Sequence, residues 1–316
     1  MSWSGEQVTL EIIVQPADGL APLLKAIQGA QKTLDLFIFR LDIKAIEKAI
    51  EDAVGRGVNV SALIAHTHDG PDKRLRQLEM RMLDKGVTVS RTGDEFVRYH
   101  SKMMIIDREE LHVYGFNYTA LDLKSRSFGV VTRDRRMVME ALRLFEADTI
   151  RKEFEPTQDD GFVVSPETAR EQLATFIKRT RKSLAIYDPK VSDTQMIRLL
   201  QQRVKAGVDV RIIGRVGKRA TALRAQRIQG GRLHVRAMIR DGDTAFVGSQ
   251  SLRALELDAR REVGLIVRDP KIVKKMQEVF EEDWAKTDVG KKEQKEFEKE
   301  QKLAAAANVA AVVTEA

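Results

Sequence analysis

The chain contains no cysteine, which removes disulfides, thiolate nucleophiles and cysteine-bound zinc from its chemistry and suits a reducing cytoplasm. Aromatic residues make up only 6% of the sequence, and none cluster near the motifs described below, so a base-stacking surface for nucleic acid has little to build on. No apolar run approaches the roughly 20 residues that cross a bilayer. The opening MSWSGEQ lacks the basic head and apolar stretch of a secretory leader. The expectation is a cytoplasmic protein with no transmembrane segment, any membrane contact being peripheral. Histidine is also scarce, at five residues in all.

Charge and apolar content are not scarce. A formal net charge of +7 favours anionic partners such as phosphates, nucleic acid or acidic lipid headgroups. With 316 residues and 43% hydrophobic content, the chain can bury one large core or two medium ones.

An internal repeat decides for two. KTLDLFIF from Lys32 and GVNVSALIA from Gly57 are answered by KSLAIYDP from Lys182 and GVDVRIIG from Gly207, at a constant offset of 150 residues. Further on, YGFN at 114–117 answers VGSQ at 247–250, FGVVTR at 128 answers VGLIVR at 263, and LFEAD at 144 answers VFEEDW at 279. The shorter offset there places an extra connection in the first half between His66 and His100, holding a helix and a strand, VTVSRT. The second half is expected to hold only a short basic helix at that place. β-Branched runs alternate with stretches of helical period, such as DIKAIEKAIEDAVGRG with Ile43, Ile46, Ile50 and Val54 on one face. Each half therefore reads as a sheet covered by helices. The polar, turn-rich EPTQDDG at 155–161 marks the boundary. The expected organisation is 1–155, 156–287, and a charged then Ala-rich helical tail over 288–316.

Two phrases carry the chemistry. RYHSKMMIID at 98–107 and LHVRAMIRDG at 233–242 both place a His two residues before a cation and close on an Asp. In an extended segment, side chains two apart share a face, so His100 with Lys102, and His234 with Arg236, each present a base beside a cation. Halves packed about a pseudo-twofold axis would bring both pairs into one cleft. Such a set suits phosphodiester chemistry without a metal: a nucleophile, a general acid, and cations on the non-bridging oxygens.

H-x-K-x4-D at 100–107 and H-x-R-x4-D at 234–241, with GSQS and RREVGLIV after the second, resemble the paired HKD motifs of the phospholipase D superfamily, in particular its cardiolipin synthase-like members. The resemblance covers the chain to about Lys286. It implies two homologous α/β/α sandwich domains about a pseudo-twofold axis, and a transfer through a phosphohistidine that needs no cofactor and no metal. Carried over by position, it implies one half-site of His100, Lys102, Asp107 and Asn117, and another of His234, Arg236, Asp241, Ser249, Gln250 and Glu262. The substrate it implies is a phospholipid, hydrolysed or transferred to an acceptor; a nuclease and a phosphodiester-binding scaffold with a weakened site are the alternatives. Two departures stand out. Arg236 replaces a Lys, keeping charge but changing geometry. Ser127 stands where the first half should carry an acid, so His100 is expected to lack an orienting carboxylate and His234 to use Glu262.

Other signals weigh less. His66-Thr67-His68-Asp69 could suggest a metal site but reads more simply as a polar strand exit. GRVGKRAT at 214–221, preceded by Ile212 where a phosphate-binding loop needs its first Gly and carrying Arg219 where it needs Ser or Thr, reads as a basic helix start. His112 reads as a structural or surface His, and Lys190 as a solvated one.

Overall fold

Residues 10–66, 73–157, 161–217, 220 and 223–314 are described by the computed structural model, with side chains as far as Gln301. The first half runs β1 (Leu10–Gln15), α1 (Ala21–Gly29), β2 (Thr33–Ile38), α2 (Lys44–Gly55), β3 (Asn59–Ile64), α3 (Lys73–Asp84), β4 (Thr88–Arg91), β5 (Arg98–Tyr99), β6 (Met103–Ile106), β7 (Glu110–Tyr114), α4 (Ala120–Leu123), β8 (Ser127–Thr132) and α5 (Arg135–Thr149). The second runs β9 (Phe162–Ser165), α6 (Ala169–Lys178), β10 (Ser183–Val191), α7 (Thr194–Lys205), β11 (Asp209–Val216), β12 (Arg224–Gln226), β13 (Arg236–Arg240), β14 (Thr244–Gly248), α8 (Ala254–Asp258), β15 (Arg260–Val267) and α9 (Pro270–Ala285), followed by α10 (Asp288–Thr314).

The repeat in sequence is a repeat in topology. The first sheet is ordered β1-β8-β7-β6-β2-β3-β4, and the second places β15, β14, β13, β10, β11 and β12 in the same succession, with β9 beside β15. Each sheet buries both faces, which explains runs too apolar for a solvated strand. Leu34, Leu36 and Ile38 of β2 face outward into a core with α1, α2 and α3, whereas Phe37 and the following Phe39 face inward. In β10, Leu184 and Ile186 face the outer core, and Ala185 and Tyr187 the inner one. The inner core also takes Val138, Leu142 and Phe145 of α5 and Ile272, Met276 and Phe280 of α9. One central apolar layer thus serves both sheets, and the fold is an α/β one with the expected doubled plan.

Local expectations fare unevenly. Ile46 and Ile50 of α2 are buried, joined by Ala49 and Ala53. The extra helix and strand between His66 and His100 are α3 and β4. Where a short basic helix is expected in the second half, the described residues hold a strand over Arg224–Gln226, paired with β11. Lys218, Arg219 and Thr221 of the GRVGKRAT stretch, Thr67 to Asp69, and residues 158–160 of the boundary lie outside the described residues. His112 is buried, between Glu110 at 2.7 Å and the Tyr114 hydroxyl at 3.0 Å, and Lys190 is exposed. The helix α10 folds back on α9, where Trp284 Nε1 donates to Glu293 at 2.9 Å.

Candidate active site

Each motif enters its sheet through a backbone bond from the other half. His100 N donates to the Arg261 carbonyl at 2.8 Å, and His234 N to the Arg126 carbonyl at 3.1 Å. Both arginines then reach across. Arg126 pairs in bidentate fashion with Asp283 of α9 at 2.7 and 3.1 Å, and Arg261 lies about 3.1–3.2 Å from both carboxylate oxygens of Asp148 of α5. These crossed contacts carry the two histidines to one cavity of about 570 Å³, lined also by Phe39, Asn117, Asp122 and Arg232.

The carboxylate assignment made from the sequence is reversed. Glu262 Oε2 lies 2.8 Å from Nδ1 of His100, not of His234. Glu262 crosses for the same reason as its neighbour Arg261: β15 pairs with β5, the short strand that leads into the first motif. Accepting from Nδ1–H, the carboxylate fixes the tautomer that leaves Nε2 with its lone pair. Phe39 meets the His100 ring edge-on at 4.6 Å and holds its plane.

Ser127, at the matching place in the first half, donates its hydroxyl to the His234 carbonyl at 3.0 Å. Among the described residues the carboxylate beside the His234 ring is Asp122, with Oδ2 3.4 Å from Nδ1, and Nδ1 makes no hydrogen bond with any of them. Asp122 was missed in the sequence. Its second-half counterpart is Glu256, the same distance after His234 as Asp122 is after His100, and that matched spacing is the signal that could have revealed both.

The cations are buried beside these rings. Lys102 is 1% exposed and its Nζ lies 2.8 Å from both His100 ring nitrogens. Burial pushes its pKa down to about 7; Glu262 opposes that and Arg236 adds to it. Arg236 sits with Nε 3.7 Å from Glu256 Oε2, and among the described residues its Nε and Nη1 have no hydrogen-bond partner. Burial, then Lys102 and Arg236, hold His100 well below the usual imidazole range. Burial and Arg236 do the same to His234, with Asp122 opposing. Burial raises Glu262, opposed by Lys102, Arg236 and the Ser249 hydroxyl.

Not every sequence candidate reaches the cavity. Asn117 does: its N and Nδ2 both donate to Asp122 Oδ2, at 2.9 and 2.6 Å. Ser249 lies behind Glu262. Gln250 instead donates to the Val163 carbonyl at 3.1 Å, against β9. Ser251 takes the place that matches Asn117, its N donating to Glu256 Oε2 at 2.7 Å. Asp107 and Asp241 stand at the other ends of their strands, away from the imidazoles. Each has positive φ, 53° and 54°, and accepts three successive backbone N–H groups, from Gln31–Thr33 and from Arg181–Ser183 respectively. Asp tolerates that left-handed conformation, and the contact ties the end of each motif strand to the start of its antiparallel neighbour, β2 or β10.

A profile of the family described as "Cardiolipin synthase, PLD-like domain" matches residues 23–149 and 173–284. The chain belongs to this phospholipase D-like family. Its structure is similar to that of the polyphosphate kinase from Porphyromonas gingivalis, with a TM-score of 0.72 and 18% identity over 86% of this chain, which spans 46% of that one. It is also similar to the phosphatidylserine synthase of Haemophilus influenzae Rd KW20, with a TM-score of 0.66 and 12% identity over 88% of this chain and 87% of that one. At these identities the likeness is one of fold. Among curated proteins, none matches the chain in sequence. Among the described residues, no helix of this phospholipase D-like chain is long and apolar enough to cross a membrane.

Proposed function

We propose that the protein transfers the phosphoryl centre of a phospholipid, by hydrolysis or to an alcohol acceptor, through a phosphohistidine on His100. One observation carries the assignment of the nucleophile: the 2.8 Å bond between His100 Nδ1 and Glu262, which leaves Nε2 as the attacking atom. In the first step the Nε2–phosphorus bond forms and the bond to the leaving oxygen breaks, with His234 giving that oxygen a proton. In the second, water or an alcohol loses its proton to His234 and attacks phosphorus, and the Nε2–phosphorus bond breaks. Lys102 and the guanidinium N–H groups of Arg236 hold the non-bridging oxygens. An anionic phosphodiester offsets the cations that depress His234, and Asp122 at 3.4 Å supports its protonated form.

The family description supports a lipid substrate. So does the cavity mouth, where Leu121 is 60% exposed. Among the described residues the only ring in the lining besides the histidines is Phe39, which is buried and engaged with His100 and Lys102, and so offers a nuclease no free platform for a base. The His234 ring, without a hydrogen bond to a carboxylate, favours slow turnover as the second reading.

Brief mixing with a short-chain phospholipid labelled at phosphorus, an alkaline quench and peptide mapping will test the proposal. Label on His100 is expected. Label on His234, or none while lipid is consumed, overturns it.

A further inference from the structure

Away from the catalytic cavity, a second cavity of about 600 Å³ is lined by Arg179 just past α6, Arg240 at the end of β13 and Arg268 just past β15. Thr175 and Phe176 of α6 form the adjoining wall. The Arg240 guanidinium is fixed 4.9 Å over the Phe176 ring, and its Nη2 donates to Thr244 Oγ1 at 2.9 Å. Among the described residues none of the three arginines has a carboxylate within ion-pair distance. Among the described residues Glu171 is the one acidic side chain in the lining. Asp241 is occupied by its three backbone donors, and Asp243 accepts from the Thr244 hydroxyl. Burial, reinforced by Arg268 and Arg179, lowers the Arg240 pKa against the pull of Asp243 and Asp241.

The other half of the molecule supplies a control. The same topology builds a cavity of about 620 Å³ there, lined at the matching positions by Gly29, Ile106 and Arg133. That single arginine is paired, with Nη2 2.8 Å from Glu110 Oε2. Across the repeat Gly29 becomes Arg179, Ile106 becomes Arg240, and Glu110 becomes Thr244; the strand registers agree, since Ile106 pairs with Glu110 as Arg240 pairs with Thr244. At these matched positions the first-half pocket has one arginine, paired with Glu110, whereas the second-half pocket has three and lacks that carboxylate. Beyond them the first-half lining adds Lys25, Glu11, Asp107 and Glu109, and the second-half lining adds, among the described residues, only Glu171 as a charged group.

We propose that the arginine pocket binds a phosphate-bearing anion at a site separate from the catalytic cavity. Like charges gathered without partners destabilise one another, and an oxyanion that takes forked N–H donors from several guanidiniums relieves that. The phosphate can belong to a soluble compound or to a lipid headgroup, because the donors read only the oxyanion.

Calorimetric titration of pyrophosphate into Lys102→Met protein, in which the catalytic cavity has lost a cation, should show a site that Arg179→Gln/Arg268→Gln weakens by about tenfold or more. Both replaced side chains are exposed, so folding should be retained. Tungstate soaked into wild-type crystals, located by anomalous scattering among the three arginines, reads the same site without any substitution. Sedimentation with phosphatidylcholine vesicles, with and without phosphatidic acid, separates the sources: capture that depends on phosphatidic acid and on Arg179 and Arg268 marks a headgroup, and pyrophosphate binding alone marks a soluble ligand. A pyrophosphate isotherm unchanged by the double substitution, or tungstate absent from the pocket, overturns the proposal. Labelling of His100 in the Arg179→Gln/Arg268→Gln protein should match wild type, so this reading and the catalytic one fail independently.

Discussion

Lys102 and Glu262 set the behaviour of His100 from opposite sides. With its pKa held at about 7 by burial, Lys102 is charged below that pH in the unliganded protein and neutral above it. Sulfate remains a dianion throughout, so its apparent Kd, measured as protection of His100 from acylation, should rise roughly tenfold for each pH unit above 7. Lys102→Arg, with a guanidinium that stays ionised, should flatten the curve; a flat curve in wild type would show that Lys102 does not meet the anion. The same shift acts on stability. The folded pKa lies below the ordinary lysine value of 10.5, so the unfolded chain binds more protons, and the Lys102 contribution to stability rises with pH between about 7 and 10.5. For Glu262, the amide of Glu262→Gln keeps the shape but loses the charge that supports the ring through the transfer. We expect kcat to fall by roughly a hundredfold with little change in KM. A KM effect alone would mean that Glu262 serves only to shape the cavity.

At the scale of elements, the crossed arginine pairs hold α5 and α9 to the opposite sheets. Asp283→Ala strands Arg126, which is half-buried between β1 and α9 and also donates to the Gln15 carbonyl at 2.9 Å. The loss in urea unfolding should be about 3–5 kcal/mol, most of it recovered in Arg126→Met/Asp283→Leu. Equal destabilisation by the single and double changes would contradict this. The elements also show what the sequence could disclose. Helix α2 was readable because its apolar spacing is local, and both histidines were readable because each phrase keeps His, cation and Asp at fixed intervals. The partner of Glu262 was not, since which half a side chain serves depends on how two sheets pack. The mistake at Gln250 was a register error: matching YGFN to VGSQ by their glycines shifts the alignment by one, and one residue in an extended segment changes the face. Counting from each histidine places Ser251 against Asn117. The short strand β12 fails for another reason, because three residues are too few for a period to show.

For the whole molecule, the central layer is common property. Val138 and Phe145 of the first half and Met276 and Phe280 of the second belong to one apolar cluster with both sheets. A protease site inserted after Thr157 should therefore give a nicked protein that elutes as one species and keeps its activity. Separation of the fragments under native conditions would mean that the shared layer is not what holds them.

The exchange of contacts between halves, Arg126 to Asp283 and Arg261 to Asp148, is the pattern an isologous dimer makes, in which every contact occurs twice. Two identical subunits must carry the same side chain on both sides of their axis. A single chain is free of that obligation, and here only one of the two reciprocal positions holds an acid, Glu262, while the other holds Ser127. Symmetric partners would be interchangeable, each histidine opening the reaction in half of all encounters. With that symmetry broken, the mechanism we propose requires every substrate to enter facing the same way, its leaving group toward His234.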